Sequence, residues 1–140
     1  MEINKKVKIF IIEDNRTENM LLKLAISSIN NIEIKGFALG ADLLNDLDKK
    51  PDIVIADLNL PDISGFDLIK TIKAYDEQIK IVVVSAQRDI DIIMKVQAMN
   101  VCNYIVKSES CLQYLSRVIE DIIIVESYRH KYKDDFINDI

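Results

Sequence analysis

The stretch DIVIADLNLPDISG, from Asp52 to Gly65, joins a short apolar run to a polar loop that contains Pro and Gly. The run from Ile53 to Leu58 is nearly continuous in apolar residues instead of alternating with polar ones. Such a run is typical of a parallel strand that helices cover on both faces. The stretch therefore predicts an α/β fold in which a buried strand delivers Asp57 to its carboxyl end.

Four further apolar runs recur at regular intervals and predict four more strands: Val7 to Ile12, Ile32 to Ala38, Ile81 to Ser85 and Val101 to Val106. The run from Ile32 alternates, as expected for an edge strand, and segments of helical period separate the runs. Strands that alternate with helices imply right-handed crossovers and a parallel sheet. By analogy with known folds, we expect a (βα)5 doubly wound, flavodoxin-like sheet in strand order 2-1-3-4-5.

Composition limits the function classes. The 140 residues fit one domain, and the net charge of −5 without a basic block argues against direct binding to nucleic acid. The apolar run from Val7 to Ile12 is too short for a signal peptide or a membrane span. We therefore expect no membrane contact. Cys102 and Cys111 lack C-x-x-C spacing, so we expect both to be small buried side chains. A cytoplasmic location is the expectation that fits these features.

Polar residues end the four predicted strands that line the crevice of this fold: Glu13 and Asp14, Asp57, Ser85, and Lys107. In the expected strand order the winding reverses between strands one and three, which opens the crevice at their carboxyl ends. Each residue alone has an ordinary interpretation as a helix cap, a turn residue or a solvated lysine. The convergence of all five at one sheet edge favours a functional site.

The three carboxylates of this predicted site repel one another unless a cation neutralises them. Carboxylates and the loop carbonyls of residues 58–60, without Cys or His, select Mg²⁺ or Mn²⁺ over zinc. Lys107 adds a positive charge that a metal site does not itself need. It is suited to an anionic group between metal and ammonium, such as a phosphoryl group.

These residues together resemble the response regulator receiver domains of two-component signalling, of which the chemotaxis regulators are examples. The resemblance covers about residues 5–125 and lies in the acidic pair Glu13-Asp14, the segment from Asp57 to Gly65, the pair Ser85-Ala86 and the segment from Tyr104 to Lys107. It implies a phosphoacceptor domain that is no enzyme beyond catalysing its own phosphorylation and dephosphorylation. The implied partner is a sensor histidine kinase or a phosphotransfer protein.

The resemblance also implies a role for each matching residue. Asp57 would accept the phosphoryl group from a phosphohistidine, and Asp14 would bind Mg²⁺ directly while Glu13 acts through water. The main-chain carbonyl of Asn59 would be a further metal ligand. Ser85 would hydrogen-bond the acyl phosphate and Lys107 would pair with it. Tyr104 would turn inward when Ser85 moves, remodelling the face formed by helix four, strand five and helix five.

One position departs from the family. Receiver domains usually have Pro directly after the Lys, joined by a cis peptide, whereas this chain has Ser108. Without Pro a cis bond costs roughly 2.5–4 kcal/mol. Either the site carries that strain or the loop takes another path.

We expect the receiver domain to span residues 1–126, with residues 127–140 forming a helical extension or the start of a linker. An apolar stripe runs along the last predicted helix, through Leu115, Val118, Ile122 and Val125, and resumes at Tyr132 and Phe136. The run from Ile122 to Val125 exceeds what one helix face buries, so part should be exposed. This pattern favours a homodimer through the helix four, strand five and helix five face, or a coiled coil leading to an output domain; a frayed tail is the alternative.

Two other classes on similar folds fit less well. A haloacid dehalogenase-type phosphatase needs D-x-D after the first strand, where this chain has Glu13-Asp14-Asn15. A flavodoxin-like electron carrier needs a Ser-, Thr- and Gly-rich phosphate loop there, and two carboxylates would repel that phosphate. A degenerate receiver that never takes phosphate is also conceivable, yet every site position holds a competent residue.

Overall fold

The sheet is parallel and has five strands. The computed structural model describes residues 5–138, without the side chains of His130 and of residues 132–138. Its strands are β1 (Val7–Ile12), β2 (Ile32–Phe37), β3 (Ile53–Ala56), β4 (Lys80–Ser85) and β5 (Asn103–Val106). Their order is β2-β1-β3-β4-β5, which confirms the predicted order and the edge position of β2.

Five helices alternate with the strands: α1 (Arg16–Ile26), α2 (Gly40–Asn45), α3 (Gly65–Tyr75), α4 (Ile90–Gln97) and α5 (Cys111–Asn138). A 3-10 turn at Leu47–Lys49 follows α2. Because the strand order reverses after β2, crossovers of one hand place helices on both faces of the sheet. One face packs against α1 and α5, and the other packs against α2, α3 and α4.

The two apolar layers explain why the strands read as continuous Ile and Val. Ile9 and Ile55 contribute to the core beneath α1 and α5, while Phe10 and Val54 contribute to the core beneath α2 and α3. Neighbouring residues of a strand point to opposite faces, so both must be apolar when both faces are covered. Polar side chains therefore first occur where the strands end and the chain leaves the two apolar layers.

Side-chain caps start three helices. Asn15, Ser64 and Asp89 each accept a hydrogen bond from a main-chain N–H in the first turn of α1, α3 and α4. The helix α2 follows Leu39, which cannot cap it. Asp62, from the loop between β3 and α3, takes that role instead: its two carboxylate oxygens accept from Gly40 N and Ala41 N at 3.0 and 2.9 Å.

The last helix, α5, is 28 residues long, about 42 Å at 1.5 Å per residue. Ile124 and Val125 are 53% and 47% exposed, which confirms the predicted exposure of this apolar run. The side chains of Tyr132 and Phe136, predicted to resume the stripe, lie outside the described residues. Among residues 5–138, no helix has both the length and the apolar content needed to cross a bilayer.

The prediction of two buried cysteines was wrong for Cys102, which is exposed, and Cys111 is half-buried; both are free thiols. Cys102 lies just before β5 and its N–H bonds Ile81 O of β4, but its side chain is exposed, so the apolar run that begins at Val101 starts before the strand does. Apolar neighbours in sequence therefore did not imply burial.

Candidate phosphoacceptor site

Main-chain hydrogen bonds continue past the strands and fix the predicted site residues at the carboxyl edge of the sheet. Asp57 N donates to Ile12 O at 3.1 Å, and Lys107 N donates to Ser85 O at 2.9 Å. Glu13 N donates to Phe37 O at 3.1 Å. Each residue is thus held by the neighbouring strand although it lies just outside its own.

The three predicted carboxylates converge. Glu13, Asp14 and Asp57 each present an oxygen within 4.8 Å of the other two. Glu13 and Asp57 are buried, whereas Asp14 is exposed. A group of carboxylates without Cys or His is the donor set that a hard divalent cation prefers.

Lys107 reaches these carboxylates from β5. Its Nζ lies 3.0 Å from Asp57 Oδ2 and 3.4 Å from Glu13 Oε2. A third carboxylate, Glu18 Oε2 in α1, lies 3.1 Å from the same Nζ. The ammonium is therefore surrounded by acidic groups from three elements of the fold.

The buried charges shift one another's ionisation. Burial raises the pKa of Glu13 to about 9, and its contact with Asp57 adds to that rise. Burial also acts to raise the pKa of Asp57, but hydrogen bonds from Glu13 and Lys107 outweigh it and hold that pKa below the usual value. Burial opposes the charge on Lys107, yet its contacts with Asp57 and Glu18 raise its pKa overall. These contacts thus favour the ionised forms of Asp57 and Lys107, whereas burial disfavours ionisation of Glu13.

Ser85 and Asn59 lie at the same edge of the sheet as Asp57. Ser85 ends β4, is fully buried, and its Oγ accepts from Gln87 N at 3.2 Å. Asn59 N donates to Asp57 Oδ1 at 3.3 Å. Both predicted residues therefore lie at the same edge of the sheet as the carboxylates.

Tyr104 is half-buried on β5. Its hydroxyl donates to Gln87 O at 2.8 Å, which joins the strand to the loop between β4 and α4. Because Gln87 also bonds Ser85 through its main-chain N–H, the loop connects Tyr104 and Ser85. Tyr104, the side chain predicted to turn inward when Ser85 moves, is thus bonded to the loop that follows Ser85.

The loop after Lys107 follows the second of the two expected paths. No described peptide bond is cis, including the one between Lys107 and Ser108. Lys107 nevertheless lies 3.0 Å from Asp57. The guanidinium of Arg88 also lies near, with Nη2 3.4 Å from Lys107 O.

Sequence reasoning missed three polar residues at this edge. Glu18 contacts Lys107, and Asp62 caps α2. Asn19 Nδ2 donates to Glu13 O at 2.9 Å and to Phe37 O at 3.1 Å, tying α1 to the ends of β1 and β2. The only available signal was the pattern Asn15-x-x-Glu18, which is that of a capping box and points to a local role for Glu18.

Comparison with known proteins agrees with this geometry. The family described as response regulator receiver domain matches residues 9–119 of the chain. The chain belongs to the response regulator receiver domain family. The resemblance inferred from the sequence motifs is thereby confirmed.

Individual receiver proteins are moderately similar. The protein-glutamate methylesterase/protein-glutamine glutaminase of Clostridium acetobutylicum is 30% identical over 123 residues, which cover 85% of this chain and 35% of that protein. A chemotaxis protein CheY homolog of Campylobacter jejuni is 25% identical, covering 84% of this chain and 92% of that protein. The phosphorylated cyanobacterial phytochrome response regulator RcpA superposes with a TM-score of 0.70 at 28% identity, covering 84% of this chain and 91% of RcpA.

The lengths of these relatives differ. The chain spans 24% to 44% of several curated relatives that it matches. Receiver domains thus occur both within longer proteins and, as in the CheY homolog, over nearly a whole chain.

Proposed function

We propose that this receiver domain takes a phosphoryl group onto Asp57 from a phosphohistidine of a sensor histidine kinase or a phosphotransfer protein. The observation that carries the proposal is the position of Lys107, whose Nζ lies 3.0 Å from Asp57 Oδ2 beside two further carboxylates. An ammonium in this position can donate to a phosphoryl oxygen and offset its charge. Asp57 is buried, and its lowered pKa favours the ionised form that an oxygen nucleophile requires.

The proposed step is an in-line displacement. A carboxylate oxygen of Asp57 forms a bond to phosphorus while the phosphorus–nitrogen bond of the phosphohistidine breaks, and the imidazole nitrogen keeps the electron pair. Lys107 donates to the transferring group, and the Ser85 hydroxyl donates to the acyl phosphate. In this proposal the domain catalyses only its own phosphorylation and dephosphorylation.

Mg²⁺ is the proposed metal, because the donor set is made of carboxylates. Asp14 and Asp57 would hold it directly, Glu13 through water, and Asn59 through its main-chain carbonyl. When bound, Mg²⁺ supplies a charge that offsets both the carboxylates and the transferring phosphoryl group.

The proposed readout is the face formed by α4, β5 and α5. Movement of Ser85 toward the phosphoryl group would pull on the loop that Tyr104 bonds through Gln87. Exposed apolar side chains on this face, Met94 on α4 and Val125 on α5, support a homodimer there. A coiled coil into an output domain is the second candidate, with residues 1–126 as the receiver and 127–140 as the extension.

We also propose a cytoplasmic location without direct contact with nucleic acid or membrane. The free thiols Cys102 and Cys111 are typical of a reducing compartment. The acidic charge of −5 supports a protein partner.

Treatment with acetyl phosphate and Mg²⁺ tests the acceptor. Mass spectrometry should find a mass gain of one phosphoryl group on the peptide that contains Asp57, and none in Asp57→Asn. A gain that persists unchanged in the variant would overturn the assignment of Asp57.

Metal titration tests the division of roles between Glu13 and Asp14. Asp14→Ala should abolish Mg²⁺ binding, whereas Glu13→Ala should only weaken it, because Glu13 is proposed to act through water. Equal loss in both variants would contradict that division.

Analytical ultracentrifugation with and without beryllofluoride tests the dimer. We expect association to increase when beryllofluoride occupies Asp57. A chain that stays monomeric in both states at high concentration, and whose stability and solubility do not change on truncation after Glu126, would rule out the interface.

A further inference from the structure

The first turn of α1 carries an acidic side chain whose partner lies across the crevice. Glu18 is the third residue of α1, after the N-cap Asn15. At this position a Glu often accepts a hydrogen bond from the N-cap main-chain N–H. Here Asn15 N donates to Glu13 Oε1 at 3.4 Å instead. The Glu18 carboxylate is free of that local role and contacts Lys107.

Glu18 and Asp57 hold the same ammonium from different environments. The Asp57 side chain is 6% exposed and the Glu18 side chain is 43% exposed, at 3.0 and 3.1 Å from Lys107 Nζ. A lysine side chain is a long flexible stem that ends in a point charge, so one contact does not fix its direction. Buried contacts from Asp57 and Glu13 and a partly exposed contact from Glu18 together restrict where the ammonium can lie.

We propose that Glu18 is a positioning residue that holds the Lys107 ammonium beside Asp57 before a phosphoryl group arrives. The proposal rests on the proposed function of Asp57. Phosphoryl transfer depends on charges that are positioned before the reaction, so an ammonium that samples many conformations away from Asp57 slows the step. Because the Glu18 side chain is partly exposed, its ion pair is weak enough for Lys107 to transfer a hydrogen bond to the incoming group.

The first test measures the Lys107 contact without any phosphoryl chemistry. Acetylation of Lys107 by an amine-acylating reagent at pH 9 is followed by peptide mass spectrometry in wild type, Glu18→Gln and the matched control Glu33→Gln, on the exposed edge of β2. Losing an exposed ion pair should increase Lys107 reactivity by roughly 1.5- to 5-fold in Glu18→Gln. The control should match wild type, and urea unfolding verifies that all variants are folded.

The second test measures transfer over a range of acetyl phosphate concentrations with Mg²⁺. Glu18→Gln should lower the maximal rate constant for phosphorylation of Asp57 by roughly 1.5- to 5-fold without raising the half-saturating concentration, because removing a negative charge cannot hinder an anionic donor. Glu18→Asp keeps the charge but is one methylene shorter, so its maximal rate constant should also fall.

The outcomes separate this proposal from the function on which it rests. If Lys107 reactivity is the same in Glu18→Gln and Glu33→Gln, or if Glu18→Asp transfers as fast as wild type, the positioning role is overturned. A second outcome is that wild-type Asp57 takes no phosphoryl group although Glu18→Gln raises Lys107 reactivity. The proposed function and the role of Glu18 in transfer would then both be wrong, but the contact between Glu18 and Lys107 would be supported.

Discussion

The helices α3 and α4 both begin shortly after a strand that delivers a site residue, yet they are anchored very differently. In α3 four residues are buried, among them Leu68, Ile69 and Ile72, whereas α4 buries only Val96. On α4, Ile90 and Met94 are 64% and 61% exposed. Asp57 and Ser85 are both buried at strand ends, but the helix that follows Asp57 is anchored by several buried side chains and the helix that follows Ser85 by one.

The loops before these two helices also differ in how firmly they are held by the rest of the fold. The loop before α3 is tied to distant main chain, since Asp62 bonds α2, and Gly65 lies against Leu58 so closely that a Cβ would come within 2.7 Å of the Leu58 Cα. The loop before α4 is held mostly by contacts two residues apart, such as Gln87 N to Ser85 Oγ. Weakly packed elements open at a lower free-energy cost. This difference therefore supports the proposal that Asp57 stays in place while the loop before α4 and the helix α4 move.

Core substitutions should show the largest difference between the two helices. Ile69→Ala in α3 removes a fully buried side chain and should lower the free energy of unfolding by about 2–5 kcal/mol. Met94→Ala in α4 should change it by no more than about 0.5 kcal/mol, because the side chain is mostly exposed. Urea denaturation with an unchanged slope measures both. Similar losses would mean that α4 is anchored as firmly as α3.

A single hydrogen bond should account for much of the remaining restraint on the loop before α4. Tyr104→Phe removes the bond from the hydroxyl to Gln87 O and should lower the free energy of unfolding by about 1 kcal/mol. Tyr75→Phe, at a 56% exposed tyrosine, is the matched control and should have no effect. Hydrogen exchange of residues 86–91 should rise only in Tyr104→Phe. Unchanged exchange there would show that other contacts hold the loop.

The smallest expected effect concerns Asp62 and depends on pH. Bonds from Ala41 N and Gly40 N hold its pKa below the ordinary 3.8. A depressed folded pKa means that the carboxylate stabilises the fold fully above 3.8 and loses this contribution as the pH falls through the folded value. Asp62→Ala should therefore be less stable than wild type at pH 7, and the difference should shrink below pH 3.8.

The matched control is Asp121→Ala, an exposed aspartate on α5. The same denaturation series on this variant controls for the loss of a surface aspartate. A constant difference for Asp62→Ala across the acid range would show that the remote cap does not depend on the charge of Asp62.

The fold and the main site residues could be predicted because both follow from where apolar runs stop. The central strands are covered on both faces, so their last apolar residues mark the sheet edge. Asp57 directly follows β3, and Lys107 directly follows β5. Glu18 could not be predicted in this way. Its contact with Lys107 joins residues 89 positions apart and depends on how the first turn of α1 is placed relative to the residue that follows β5.

Asp62 was missed for a related reason. A helix cap is normally sought within the same turn, and Asp62 lies 22 residues beyond Gly40. The burial of Cys102 was predicted wrongly because hydropathy cannot locate the start of β5 within its apolar run. Local patterns thus predict elements and their ends, while contacts between elements require the packed structure.

The length of α5 has a mechanical consequence. Only residues 108–110 separate Lys107 from the start of the helix at Cys111, so its near end is attached to the site edge. A rod of this length acts as a lever: with a rise of 1.5 Å per residue, a tilt of about 5° at the near end displaces the far end by roughly 4 Å. A side-chain shift too small to measure easily at Asp57 would then displace the far end of α5 by about the distance between two side chains in contact.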